Sequence, residues 1–268
     1  MRSRLEQAND NAAGFWLAQA RVHGWEQLRR PGFTAVRCAR DSADAHRVVV
    51  TRPYGEAGLL EAELDELLRT WGTTQLCLED PYGHLDLSRF GCVHGLAMAV
   101  MTRPGVIPSG GERAGRVAGL SGLPSYGVEL TVSEVLDAGE LAAMERTVVE
   151  GFPIPARQPW VSGGMLPLGL LGETGLRAWL ARVAGRPAGG CLTYDDGDTV
   201  GVYWVTTLAE HRSRGVARAL LETALAAQPD RPATLVATLL GEPLYRKLGF
   251  VEQGLTRWWG YPAAPGAR

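Results

Sequence analysis

Val205-Thr206-Thr207-Leu208-Ala209-Glu210-His211-Arg212-Ser213-Arg214-Gly215-Val216-Ala217-Arg218 is the stretch that decides how this chain folds. Thr199 to Thr207 reads as a strand, a short charged loop follows, and the pattern from Gly215 to Ala226 predicts a helix. The first turn of a helix leaves backbone amides without intrahelical partners, and the helix dipole adds positive charge there. A loop of amides closing on such a terminus suits a phosphate or diphosphate. Gly215 and the small Ala217 allow close approach to the backbone, and Arg212, Arg214 and Arg218 offer donors to phosphate oxygens. Taken alone, the stretch also fits an ordinary strand, loop and helix with a solvated basic end. Neither Gly-x-x-x-x-Gly-Lys-Ser/Thr nor Gly-x-Gly-x-x-Gly occurs at this junction, so it is neither of those two phosphate loops.

A second segment follows at Leu239-Leu240-Gly241-Glu242-Pro243-Leu244-Tyr245-Arg246-Lys247-Leu248-Gly249-Phe250. Pro243 suits the first turn of a short helix from Glu242 to Lys247, and Gly249 suits the position just past its end. With both segments in view, Arg212-Ser213-Arg214-Gly215-Val216-Ala217 resembles the Gln/Arg-x-x-Gly-x-Gly/Ala acetyl-coenzyme A signature of the GCN5-related N-acetyltransferase (GNAT) superfamily. Leu244 to Phe250 is similar to that superfamily's Tyr-x-x-x-Gly-Phe motif. The resemblance covers roughly residues 125 to 260.

That resemblance implies a mixed α/β fold whose sheet splays between the strand ending near Thr207 and one at Thr234 to Ala237. It implies acetyl-coenzyme A as cosubstrate, with pantetheine pairing to the backbone of Val205 and Thr207 as an added strand would. The amides of Ser213, Arg214, Gly215, Val216, Ala217 and Arg218 would then hold the diphosphate. Tyr245 takes the place of the superfamily's tyrosine near the thioester sulfur, where a phenol can protonate the leaving thiolate. Thr238 stands where an asparagine often contacts the cofactor. No metal is implied. The glutamate that many members carry early in the strand before the signature is missing from Thr199-Val200-Gly201-Val202-Tyr203. A water chain or a residue from elsewhere must then take the amine's proton. Glu150 and Glu173 flank the loop-rich stretch but read as surface carboxylates, and His211 as a solvated or phosphate-facing side chain.

Working outward, Val128 to Val132 predicts a strand and Gly139 to Val149 a helix. Gly151 to Gly175 is a proline-rich stretch long enough to suspect a lid. Strands are expected at Arg177 to Val183 and Ala188 to Tyr194, joined by a turn at Gly185-Arg186-Pro187. Trp160 in the proline-rich stretch is a candidate acceptor contact, whereas Trp179 reads as core. In the N-terminal half a helix spans Leu5 to Trp25, strands run from Phe33 to Cys38, Arg47 to Thr51 and Thr74 to Leu78, and Leu59 to Leu68 forms an amphipathic helix. Phe90 to Met101 reads as largely extended.

A shift of 158 residues lays Gly83 on Gly241 and Gly91 on Gly249, and brings the two halves' elements into one order. The expected organisation is a degenerate GNAT-like domain over residues 1–103, a glycine- and proline-rich linker over 104–125, and a catalytic domain over 126–268. In the first half Tyr54-Gly55-Glu56-Ala57-Gly58 stands at the phosphate loop's place without an arginine, and Leu87 at the place of Tyr245.

The chain's 268 residues carry 27 Lys plus Arg against 29 Asp plus Glu, a net charge of −2 that gives no support to a nucleic-acid partner. No apolar run approaches the ~20 residues of a membrane span, and the N-terminus has no apolar signal region. Cys38, Cys77, Cys92 and Cys191 lack metal-site spacing and read as reduced core thiols, which fits a cytoplasmic protein. The expected activity is acetyl transfer to a primary amine of a small molecule, an amino acid or a peptide N-terminus. Transfer of another acyl group, decarboxylation of malonyl-coenzyme A, and a non-catalytic acyl-coenzyme A-binding module stay open. So do a monomer, with two fused halves forming a pseudo-dimer, and a homodimer.

Overall fold

A computed structural model describes residues 2–39, 44–54, 57–72, 75–106, 129–152 and 154–261. The chain divides into two compact units, Met1–Thr102 with Thr234–Arg268, and Arg103–Ala233. In chain order the first unit opens with α1 (Arg4–His23), β1 (Glu26–Arg29), β2 (Phe33–Arg37), β3 (His46–Val50), α2 (Ala57–Trp71), β4 (Leu76–Asp80), β5 (Val93–His94) and β6 (Met98–Arg103). The second unit holds β7 (Leu130–Glu134), α3 (Ala138–Gly151), β8 (Leu176–Val183), β9 (Arg186–Asp195), β10 (Val200–Thr207) and α4 (Val216–Ala226). The first unit is completed by β11 (Ala233–Ala237), α5 (Glu242–Lys247) and β12 (Val251–Gly260).

In the first unit, Ser3 and Glu6 form a reciprocal capping box at the start of α1. β1, β2 and β3 pair antiparallel in succession, and β4 runs parallel to β3 after the α2 crossover. The alternation of side chains across each strand feeds two cores. On one face Val48, Val50, Leu76 and Leu78 meet Leu60, Leu64, Leu67 and Leu68 of α2. On the other, Val49 packs on Ala12, Ala13 and Trp16 of α1, and Val36 on Leu17 and Ala20. β12 pairs through Val251–Thr256 with β6 and through Arg257–Gly260 with β4, so Trp259 enters the α2 core.

In the second unit β7, β8, β9 and β10 pair antiparallel in chain order. The stripe Leu141, Met144 and Val148 of α3 is buried, as are Leu220, Leu221 and Ala224 of α4. Burying such stripes, at about 25 cal/mol per Å² of apolar surface, is the main stabilising term.

The elements of the two halves repeat one order. α1, β1, β2, β3, α2, β4 and β6 stand in the sequence α3, β8, β9, β10, α4, β11 and β12. Most element positions follow the sequence pattern, with shifts at their ends. Phe90 to Met101 is not one extended piece but a 3-10 turn at Ser88–Phe90 followed by β5 and β6. The turn before β9 lies at Ala184-Gly185, because Arg186 already pairs with Val183. β1 has no counterpart in the sequence reading. The compact units also cut the chain differently from the sequence halves, because β6 and β4 pair with β12 and so group residues 234–268 with residues 1–102. Residues 107–125 of the linker, with Gly55, Glu56 and Pro153, lie outside the described residues.

Candidate active site

The ladder between β9 and β10 contains a bulge. Tyr203 faces Leu192 and Thr206 faces Gly190, so Trp204 and Val205 together oppose the single residue Cys191. Trp204 takes φ 55°, a left-handed conformation that a bulky side chain rarely adopts, and its ring meets Phe152 edge-on at 5.6 Å. The extra residue interrupts strand pairing at the point where the chain turns toward the signature loop.

Beyond the bulge, Thr207 pairs with Gly189, and Leu208 N–H donates to the Ala188 carbonyl at 2.9 Å. A 3-10 turn over Ala209–His211 leads to Ser213 at φ 60° and Gly215 at φ 78°, two left-handed residues that swing the chain into α4. Gly215 is the N-cap, and no side chain caps the helix. The first intrahelical bond is the Ala219 amide to the Gly215 carbonyl at 2.9 Å, which leaves the preceding first-turn amides without helical acceptors. A methyl at Gly215 would meet no heavy atom within 4 Å, so space lies in front of the turn.

The three arginines of this loop differ. Arg212 braces the loop, its Nε donating to the Thr207 carbonyl at 3.3 Å and its Nη2 to the Gly151 carbonyl at 3.5 Å. Arg218 pairs with Glu222 at 2.8 Å. Arg214 is exposed and carries no partner among the described residues. Thr207 Oγ1 and His211 Nδ1 are buried without a hydrogen-bond partner among the described residues. Open first-turn amides, a cationic side chain and a buried unpaired hydroxyl are a donor set that fits a diphosphate-bearing cosubstrate.

Thr238 and Tyr245 belong to the first compact unit. The Thr238 hydroxyl accepts the Gly241 amide at 3.2 Å and shapes the turn into α5. Tyr245 is buried on α5, edge-on to Phe250 at 6.0 Å. Its ring occupies the space a side chain at Gly241 would need, since a Cβ there would lie 2.7 Å from Tyr245 Cε2. Packing on both sides thus fixes the direction of the phenol.

Among the carboxylates singled out in the sequence, Glu150 is exposed and paired with Arg146 at 2.7 Å. Glu173 is half-buried, where its backbone closes the turn into β8. The carboxylate that sequence reasoning missed is Glu145 of α3, fully buried and bonded to the indole of Trp160 and to three backbone amides. In a helix of mixed polarity it reads as a solvent-facing residue, and only the chain folded over it reveals otherwise. Trp179 is core, its Nε1 donating to Thr193 Oγ1 at 3.0 Å.

Residues 174–252 match the family model described as the acetyltransferase (GNAT) domain. Over those residues the chain is similar to a GNAT domain. The matched stretch runs from the strands before the bulge through the turn at Gly215 to Tyr245 and Phe250, and so spans residues of both compact units. Solved structures share the GNAT fold along almost the whole chain. A GCN5-related N-acetyltransferase from Kribbella flavida superposes with a TM-score of 0.65 at 16% identity, covering 100% of this chain and 99% of its own. One from Sphaerobacter thermophilus gives 0.54 at 16% identity over 96% of this chain and 93% of its own. A tandem GNAT protein from the clavulanic acid biosynthesis pathway gives 0.52 at 17% identity, covering 88% of this chain and 82% of its own. The search of curated proteins gives no match.

Proposed function

We propose that this chain transfers an acetyl group from acetyl-coenzyme A to a primary amine by direct attack, and that its N-terminal half is a degenerate copy of the GNAT half. The observation that carries this reading is the turn at Ser213 to Val216, where two left-handed residues lead into first-turn amides of α4 that no side chain caps among the described residues. Those amides and Arg214 hold the diphosphate, and the Thr207 hydroxyl completes the donor set. The backbone of Val205 and Thr207 pairs with the pantetheine arm.

Acyl transfer to an amine sets three requirements. The amine must arrive neutral, although a lysine-like amine has a pKa of about 10.4. Glu145 is occupied by four donors and Glu150 by Arg146, so neither is a free base. In this reading water carries the proton away. The carbonyl oxygen needs a donor as charge develops, and the bulge at Trp204 and Val205 supplies backbone amide outside the regular ladder. The leaving thiolate needs a proton, which the phenol of Tyr245 gives.

The missing carboxylate on β10 favours a second reading, a module that binds acyl-coenzyme A without turnover. Titration calorimetry with coenzyme A, followed by thiol release and mass spectrometry over an amine panel, separates the two. Binding with release and an acetylated product supports the enzyme, binding without release supports the module, and no binding refutes both.

A further inference from the structure

Among the described residues other than glycine, Ala184, Trp204 and Ser213 take positive φ, and Trp204 is the bulky one. At 55° it holds the first place of the bulge, which glycine favours because a left-handed residue with a Cβ crowds its own backbone. Such a conformation persists where the neighbours over-determine it. Two neighbours of Trp204 do so, and both lead to the end of α3. Its ring meets Phe152, the C-cap of that helix, edge-on at 5.6 Å. Its carbonyl accepts the hydroxyl of Thr206 at 3.0 Å.

Thr206 is buried, and its methyl lies against Gly151, the last residue of α3. A Cβ at Gly151 would stand 2.1 Å from Thr206 Cγ2. Gly151 lies within the helix and is not left-handed, so its torsions do not call for glycine. The contact does, because the Thr206 methyl fits only where a side chain is missing. Turning Thr206 aside would make room, but it would also carry the hydroxyl off the Trp204 carbonyl. Arg212 ties the same helix end to the strand by donating to the Gly151 and Thr207 carbonyls. All of these residues belong to the second compact unit.

We propose that Gly151 and Phe152 are positioning residues, which hold Trp204 left-handed and so aim the backbone amide of the bulge at the thioester carbonyl. The aim at a thioester rests on the acetyl-transfer reading, whereas the hold on Trp204 does not. A misplacement of about 1 Å can lower a rate by about 10²-fold, and removing an oxyanion donor lowers it by about 10²–10³. Loosening the hold therefore acts on kcat, while the turn at Ser213 to Val216 keeps its own amides for the diphosphate.

Gly151→Ala tests this against local propensity. Alanine is the better helix former, so a position with no such contact would gain stability and keep its rate. The proposal instead expects kcat to fall by about 10- to 100-fold, with coenzyme A affinity within threefold. Phe152→Leu removes the edge contact from an exposed position and is expected to act in the same direction. The backbone Cα NMR signal of Trp204 reads the conformation without any substrate. It is expected at a left-handed position in wild type and shifted toward an extended one in both variants. Thr206→Ser supplies the rescue, since it deletes the methyl and keeps the hydroxyl. On that background Gly151→Ala is expected to cost less than threefold in kcat and to leave the Trp204 signal in place. An unmoved Trp204 signal or an unchanged kcat in either variant overturns the proposal, as does an equal loss from Gly151→Ala on the Thr206→Ser background. If Gly151→Ala does not fold, Phe152→Leu decides by the same two measurements. Acetyl transfer by the wild-type chain judges the other reading. No transfer to any amine of the panel refutes it, and with it the aim at a thioester, while a Trp204 signal that still moves leaves the hold standing.

Discussion

Alanine at Gly215 and alanine at Gly24 form a matched pair that isolates the diphosphate grip. Both glycines are left-handed, at φ 78° and 68°, and a methyl on either meets no heavy atom within 4 Å. Each substitution therefore incurs the left-handed penalty of about 1–2 kcal/mol for a residue with a Cβ. Reduced freedom of the unfolded chain returns about 0.4–1 kcal/mol. The net loss is about 1 kcal/mol at either site, or a fall in Tm of about 2–4 °C for a chain of this size. Ligand binding distinguishes them. Gly24 ends α1, whereas Gly215 opens α4 onto the proposed phosphate, so only Gly215→Ala puts a methyl where an oxygen must approach. Losing one charge-assisted hydrogen bond costs about 1.5–3 kcal/mol, a rise in Kd of about 10- to 100-fold. Calorimetry with coenzyme A on both variants reads the difference. Equal affinity in wild type and Gly215→Ala would place the diphosphate elsewhere and remove the basis of the proposed function.

Tyr245→Phe keeps the ring packed on Gly241 and Phe250 while removing the hydroxyl, so kcat is expected to fall by about 10²–10⁴ with coenzyme A affinity within twofold; unchanged kcat across pH removes the acid role. Gly189→Ala would place a Cβ 2.6 Å from the Thr206 carbonyl and 3.0 Å from Val216 Cγ1, so it should lower both Tm and coenzyme A affinity, unlike Gly24→Ala. Glu79 is buried beneath α1, and burial pushes its carboxyl above the ordinary 4.5, with Arg47 and the Trp16 indole opposing. The folded state thus keeps a proton that the unfolded state has released, and stability falls as pH rises above 4.5, by at most about 1.4 kcal/mol per pH unit. Glu79→Gln should flatten that slope in urea titrations at a series of pH values, and an unaltered slope would assign it to another group.

The elements legible in sequence were those whose signal is local. Glu242–Lys247 follows from Pro243 and Gly249, and α2 from its leucine stripe, each within a few turns of chain. β1 was not legible because Glu26–Arg29 is polar and mostly exposed, and only the antiparallel register with β2 makes it a strand. The site shows the same division. The turn at Gly215 announces itself by residue type, while the bulge at Trp204 depends on one extra residue against β9, which no alternation pattern records. Glu145 is the sharpest case. Its four donors come from residues 15 to 21 positions further along the chain, so its burial is a property of tertiary structure alone.

The double pairing of β12 has a consequence for biosynthesis. During translation β4 and β6 emerge with no neighbour for the edges that β12 later fills, and they wait through the making of about 150 further residues. Unsatisfied strand edges invite association with other chains. The second unit's strands β7 to β10 with α3 and α4 are all synthesised before β12, so their own pairings are available before the first unit can close. A ribosome stalled after β11 would release a product whose first hundred residues lack their closing strand.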